Sequence, residues 1–276
     1  MRIRFPNGKK KVITFSYDDG VEQDIRLINL FKEYGIKGTF NLNSGLFNTI
    51  HSVFGNKECK RLSHEKLKQI YKHPNIEIGI HTVSHCSLPS VSNSNKILEV
   101  INDRNNLEQI FEMPLKGMAY PYGHYNDDTI KVLQDCGIVY SRTVQSHHSF
   151  ILPTDWLKLG ATCHHNDDML MPLAHKFLDE NPTDKEDPFM FYIWGHSYEF
   201  DRNNNWEVIE QLLKYTSYKE DVWYATNIEI YNYIDAYKNL IYSSNDRIIH
   251  NPSAISVWIC SGDKTIELPS GSTVNI

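Results

Sequence analysis

Three polar clusters in this chain have residue types and spacings that could do chemistry. The first, Ser16-Tyr17-Asp18-Asp19-Gly20, follows the apolar run that starts at Lys11. Adjacent carboxylates at the end of a strand point in different directions, so one can ligate a metal ion while its neighbour faces a substrate. The same residues also suit an ordinary helix-capping turn. The second cluster, His81-Thr82-Val83-Ser84-His85, sets two imidazoles four residues apart, where both can present a ring nitrogen to one ion. Thr82 stands where the zinc-protease pattern HExxH needs a glutamate, so this is a different arrangement. Among thirteen histidines such a spacing also arises by chance, and His147-His148 is an equally conspicuous pair with no strand ahead of it. The third cluster, Ile193-Trp194-Gly195-His196, ends the run that begins at Phe189. A histidine leaving a buried strand is placed for general acid or base work, its ordinary pKa being about 6.5; it can equally be a satisfied histidine at the rim.

The elements that must position these clusters alternate along the chain. Short apolar runs at 11–16, 38–42, 76–80, 117–120, 138–142, 157–162, 189–194 and 222–225 read as strands. Between them, 23–34, 63–72, 93–111, 127–136, 167–179, 206–215 and 227–239 carry apolar residues at helical spacing. Ser63 is an expected N-cap, and Gly137 sits just past a helix end, the usual place for a C-terminal glycine. Strand–helix alternation implies parallel strands with helical crossovers, hence an α/β sheet or barrel whose chemistry gathers at the C-terminal strand ends. All three clusters fall at such ends. After about Tyr242 the helical periodicity stops and Asn-Pro and Ser-Gly turns appear, so 1–242 reads as one domain and 243–276 as a small β-rich extension.

Composition narrows the function classes. A formal net charge of -6 and the lack of a basic run argue against a nucleic-acid partner. No apolar run approaches the roughly 20 residues of a membrane helix, and Met1 to Lys11 lacks the apolar stretch of a secretory signal, so a cytoplasmic protein, or one trimmed of an export signal, is expected. Cys59, Cys86, Cys136, Cys163 and Cys260 are odd in number and scattered, which fits reduced thiols better than a disulfide framework or a cysteine-zinc site. Oligomeric state is left open.

Taken together and in order, the clusters resemble the polysaccharide deacetylase family, the NodB-homology group also called carbohydrate esterase family 4. Its T-F-D-D-G block resembles Thr14-Phe15-Ser16-Tyr17-Asp18-Asp19-Gly20, and its H-[ST]-x-x-H block is matched by His81 to His85. Its R-x-P-Y-G block is matched at Pro121, Tyr122 and Gly123, with Ala119 in the arginine's place. D-x-x-D-W is represented by Asp155-Trp156 with Leu152 at the first position, and L-x-H by Trp194-Gly195-His196. The resemblance implies a distorted (β/α) barrel of the NodB type. It further implies one divalent ion, zinc above cobalt, nickel, manganese or iron, held by Asp19, His81 and His85, and a hydrolase that removes N-acetyl groups from an acetylated sugar or oligosaccharide. Asp18 would be the general base, the Tyr122 backbone N–H an oxyanion donor, and His196 the acid that protonates the departing amine. Alternatives are an O-acetyl esterase or an amidase using the same metal site, or a carbohydrate-binding module without turnover.

The departures from the pattern carry their own expectations. With Ala119 where the family's arginine pairs with the base, Arg142 at the end of the next strand is the expected substitute. Asp155 is expected to orient His196. Pro121, Tyr122, Trp156 and Trp194 would line the substrate site, although Trp156 can equally be a core aromatic. His164 and His165, after the strand 157–162, would contact the sugar, add a metal ligand or serve only at the surface, and Tyr198 and Glu199 lie near the site.

Overall fold

Alternation along one strand sets the pattern of the fold. The computed structural model describes residues 1–54, 57–262 and 264–276. In the strand Lys11–Asp18 every residue is buried, as expected of a parallel strand covered on both faces. Ile13, Phe15 and Tyr17 join the apolar cluster that includes Leu27, Ile28 and Phe31 of the helix Asp24–Glu33. Thr14, Ser16 and Asp18, on the other face, enter a polar interior: Thr14 bonds Asn227 and Ser16 bonds Asn41.

The strand lies in a nine-stranded sheet whose pairs are all parallel. The ladder runs Cys163–His164, Phe189–Gly195, Lys11–Asp18, Gly38–Leu42, Ile76–Ile80, Gly117–Ala119, Tyr140–Ser146, Leu159–Ala161, and Val222–Tyr224 pairs with the start of Lys11–Asp18. Its first and last members are consecutive pieces of one run around Thr162, whose N–H donates to the Tyr192 carbonyl at 2.8 Å. The sheet therefore curls until its two ends meet, as the strand–helix alternation and the resemblance anticipate for an α/β fold of the distorted-barrel kind. Helices Asn93–Phe111, Asp127–Asp135, Leu170–Asp179 and Trp206–Thr216 pack outside it with the apolar spacing seen in the sequence.

Most element boundaries agree with the sequence reading to within about three residues, but several features differ, among them the short helix Tyr198–Asn203, which the apolar spacing does not mark. The strand expected at 138–142 is Tyr140–Ser146: Ile138 is taken up by the turn after helix Asp127–Asp135, its N–H donating to the Leu133 carbonyl, and Val139 leads into the strand with its N–H on the Lys116 carbonyl. A hairpin, Ile50–Phe54 with Lys57–Lys60, lies between the expected strand 38–42 and helix 63–72, where the apolar spacing marks no element. In the C-terminal segment, Val257–Ser261 pairs not only with Lys264–Leu268 but with Arg2–Arg4 from the other end of the chain. Ala236 and Leu240 share a small core there with Ile249, Val257, Ile259 and Leu268. Among the described residues no helix is long and apolar enough to cross a membrane.

Candidate active site

The strand ends deliver a carboxylate pair, two histidines and an arginine to one rim of the sheet. Asp18 is the last residue of Lys11–Asp18 and follows its inward alternation; Asp19 leaves the strand with φ 82. Thr82, His85 and Tyr122 are also left-handed, with φ 65, 57 and 60. Such backbone costs a non-glycine residue on the order of 1–3 kcal/mol and persists only where the surroundings impose it. Here it turns Asp19 and His85 toward each other, Oδ1 and Nε2 lying 3.6 Å apart.

Asp18 is nearly fully buried and is held from two sides. Its Oδ1 accepts the Asn41 amide at 2.8 Å, and its Oδ2 accepts the Arg142 guanidinium. Burial by itself pushes the Asp18 carboxyl up, but Arg142, with His81 and His196, outweighs this and holds it below the ordinary carboxylate range. Arg142 reaches this place because it is the register partner of Ala119 on the neighbouring parallel strand, so both side chains face the same way. The guanidinium also lies 4.5 Å over the Trp194 ring. Asn41 in turn needs its register partner Gly79, since a Cβ there would lie 2.2 Å from Asn41 Oδ1.

The ligating atoms of Asp19, His81 and His85 all lie within 4.8 Å of one another. His81 Nδ1 is 2.7 Å from the Ala119 carbonyl, an acceptor only, so Nδ1 carries the proton and Nε2 keeps a free lone pair. Two backbone anchors fix this histidine: its N–H donates to Asp103 Oδ2 at 2.9 Å, and its carbonyl accepts from Asn43. Burial lowers the pKa of His81, and that of His85 to about 4, so both rings are neutral near pH 7 and able to ligate. For Asp19 burial acts upward, but the bond from His51 and the nearby His196 and His81 bring it well below the ordinary range. An ionised carboxylate and two neutral imidazoles, His81 with its tautomer fixed by the Ala119 carbonyl, fit a divalent cation.

His196 stands beside this trio, Nε2 lying 3.9 Å from Asp18 Oδ2, the same distance as His81 Nε2. Its Nδ1 faces Glu199 Oε2 at 3.6 Å. Burial alone would lower its pKa, but Glu199, Asp18 and Asp19 raise it above the ordinary imidazole value. His164 and His165 approach the same Glu199 oxygen, each at 3.1 Å, while Arg202 donates to the other oxygen at 2.8 Å. His164, His196 and Glu199 also bring ligand atoms within 4.8 Å of one another. However, His164 Nδ1 accepts the Asn166 N–H at 3.1 Å, so neutral His164 carries its proton on the nitrogen that faces Glu199. That trio is a carboxylate surrounded by N–H groups rather than a set of lone pairs.

The remaining expected site residues fall in different places. Tyr122 is 57% exposed, and its ring meets His85 edge-on at 4.6 Å; Pro121 beneath it is buried. Trp194 is buried between Arg142 and His164. Trp156 packs edge-on against Tyr231, 5.2 Å away, among core residues. Asp155 caps the turn Trp156–Lys158 by accepting the Leu157 N–H and lies 3.7 Å from Lys158, and its carboxylate is half exposed. Among the described residues the carboxylate facing His196 Nδ1 is thus Glu199, from the helix Tyr198–Asn203 that follows His196. His165 has no exposed surface: stacked between Phe200 and Tyr17, it backs Glu199 instead of opening onto the rim. Sequence reasoning passed over Asn41, Asp103, His51 and Arg61. Only Asn41 carries a signal, as a polar residue at an inward position of an otherwise apolar strand.

Residues 6–141 match the family model described as polysaccharide deacetylase. A putative polysaccharide deacetylase of Bacillus subtilis (strain 168), YxkH, is 25% identical over 129 residues, which make up 46% of this chain and 43% of that protein. The chain thus spans less than half the length of this curated relative. Among solved structures, a putative polysaccharide deacetylase from Mycobacterium smegmatis superposes with a TM-score of 0.63 at 17% identity, over 86% of this chain and 94% of that one. The chitin deacetylase of Colletotrichum lindemuthianum gives 0.52 at 14% identity, over 83% and 89%. At these identities the likeness is one of fold.

Proposed function

Because residues 6–141 place this chain in the polysaccharide deacetylase family, we propose that it is a metal-dependent hydrolase that removes N-acetyl groups from an acetylated sugar or oligosaccharide. The observation that carries this reading is the convergence of Asp19, His81 and His85 beside an Asp18 kept ionised by Arg142. Asp19, His81 and His85 would hold one divalent ion, which supplies Lewis acidity toward the acetamide carbonyl and the attacking water. Zinc is the first choice for a set of two imidazoles and one carboxylate.

The chain's own groups then divide the proton work. Asp18, accepting from Arg142 and Asn41, takes the water proton while its orientation is held from both oxygens. The Tyr122 backbone N–H, in its left-handed turn, donates to the developing oxyanion. His196, with a raised pKa and Nδ1 turned to Glu199, holds on Nε2 the proton that the departing amine requires. Leaving the amine unprotonated would stall the reaction, so an acid opposite the base is what separates amide hydrolysis from mere water activation.

The test is incubation of zinc-loaded protein with a panel of acetylated glycans, read by mass spectrometry for loss of acetyl groups. Release from a chitooligosaccharide with little release from acetylated xylan is the expected outcome. Release from xylan alone would replace this reading with O-acetyl esterase activity, and glycan binding without zinc uptake or acetate release would make the chain a binding module.

A further inference from the structure

We propose that His51, carried on the hairpin Ile50–Phe54/Lys57–Lys60, is a positioning residue for the metal ligand Asp19 and that this hairpin sets how tightly the ion is held. The proposal rests on the reading of Asp19 as a ligand. The hairpin's register slips between Ile50 and Ser52, so His51 is the bulged residue. A bulge re-aims a side chain that regular pleating would send elsewhere. Here it points the imidazole at Asp19, with Nε2 3.0 Å from Oδ2.

The hydrogen-bond chemistry gives this contact a direction. Asp19 Oδ2 belongs to an ionised carboxylate and can only accept, so His51 Nε2 carries the proton and donates it. Neutral His51 then has a lone pair on Nδ1, and Ser52 Oγ, 2.8 Å away, satisfies it. His51 Nε2 is therefore a donor to the ligand and not itself a ligand. It occupies one carboxylate oxygen, while Oδ1, which accepts Arg61 Nη2 at 3.3 Å, is the one 3.6 Å from His85 Nε2 on the side of the histidine pair. Donors of this outer kind orient a ligating carboxylate, and removing one typically weakens metal binding about 10–100-fold.

The rest of the hairpin and its stem reinforce the same segment. Arg61 Nε donates to the Asp19 carbonyl at 3.1 Å, which braces the left-handed residue. Leu62 N–H donates to the Gly20 carbonyl at 2.8 Å and Glu22 N–H to the Lys60 carbonyl at 2.9 Å. The His51 ring lies 4.5 Å from that of Tyr198, two residues past His196, so the hairpin also spans to the other side of the site.

The experiment measures zinc affinity by competition with a chromophoric chelator, alongside the melting temperature of the metal-free protein, for wild type, His51→Ala, His51→Gln and Val53→Ser. His51→Ala should bind zinc about 10–100-fold more weakly, with the metal-free protein still melting in one cooperative transition although Asp19 loses one donor. His51→Gln, which keeps an N–H donor, should fall between it and wild type, and Val53→Ser, exposed on the same strand, should match wild type. An affinity of His51→Ala within twofold of wild type overturns the proposal, and so does an equal loss in Val53→Ser, which would assign the effect to the hairpin's folding. Wild-type protein that takes up no zinc would instead overturn the metal-site reading itself, an outcome distinct from both.

Discussion

Replacing Arg142 with alanine removes the cation that faces Asp18 across the polar interior. The side chains of Arg142 and Asp18 are 1% and 3% exposed, so water cannot take the guanidinium's place without a rearrangement. Removing one member of a buried ion pair typically destabilises by about 3–5 kcal/mol, because the other charge is left unpaired. Asp18 keeps its Asn41 bond, and it can also escape the penalty by taking up a proton, so the lower end, about 3 kcal/mol, is expected. At roughly 2–4 °C per kcal/mol for a chain of this size, the melting temperature should fall by about 6–12 °C. That same protonation disables a base, so turnover should fall at least as sharply. In an Asp18→Asn background, Arg142→Ala should cost much less, since no charge is left to strand, and the double-mutant cycle isolates the pair. The register supplies a rescue: Ala119→Arg combined with Arg142→Ala returns a guanidinium from the adjacent strand, facing the same way. Melting curves and acetate release on the four variants decide the matter. If Arg142→Ala retained near wild-type turnover with a melting temperature within about 2 °C, the account of Asp18 would be refuted.

Further outcomes follow from the same contacts. Asp19→Ala and His81→Ala should lose zinc uptake and activity together, whereas Asp18→Asn should keep zinc and lose turnover; a metal-free Asp18→Asn protein would overturn the division of roles between the two carboxylates. Glu199→Gln should keep zinc affinity while lowering kcat, by no more than the roughly 10²–10⁴-fold that a general acid contributes; Asp155→Asn, at its exposed turn, should change neither. Glu77, buried in the barrel interior and hydrogen-bonded by Tyr140 and Thr39, is pushed up by burial to about 7 from an ordinary 4.5. A carboxyl with a raised folded-state pKa contributes stability that is complete below the unfolded value and lost as pH rises through the folded one. That contribution, about 3 kcal/mol for a shift of this size, should therefore fade between pH ~4.5 and ~7. Denaturant titrations of Glu77→Gln across that window should show a flatter profile than wild type; an identical slope would remove Glu77 as the cause.

The sequence by itself carried the strand–helix alternation, the α/β class and the positions where chemistry had to gather. These are local properties: a period of two or of 3.6 residues and the turn residues between runs are written in contiguous residues. Asp18-Asp19 and His81 to His85 were legible for the same reason, since each motif is one short segment leaving one strand. Which carboxylate faces His196 Nδ1 was not legible, because Glu199 follows His196 closely and Asp155 lies far ahead of it, and only the path of the chain turns Asp155 to a capping role and Glu199 toward the imidazole. His51 and Arg61 were invisible because a bulge in a hairpin aims one and a stem carries the other, and no spacing in the sequence links either to Asp19. Arg142 lies between these cases. An absent arginine at Ala119 could be noticed in the sequence, but that its replacement comes from the next strand and faces the same side depends on pairing register, which non-local hydrogen bonds decide.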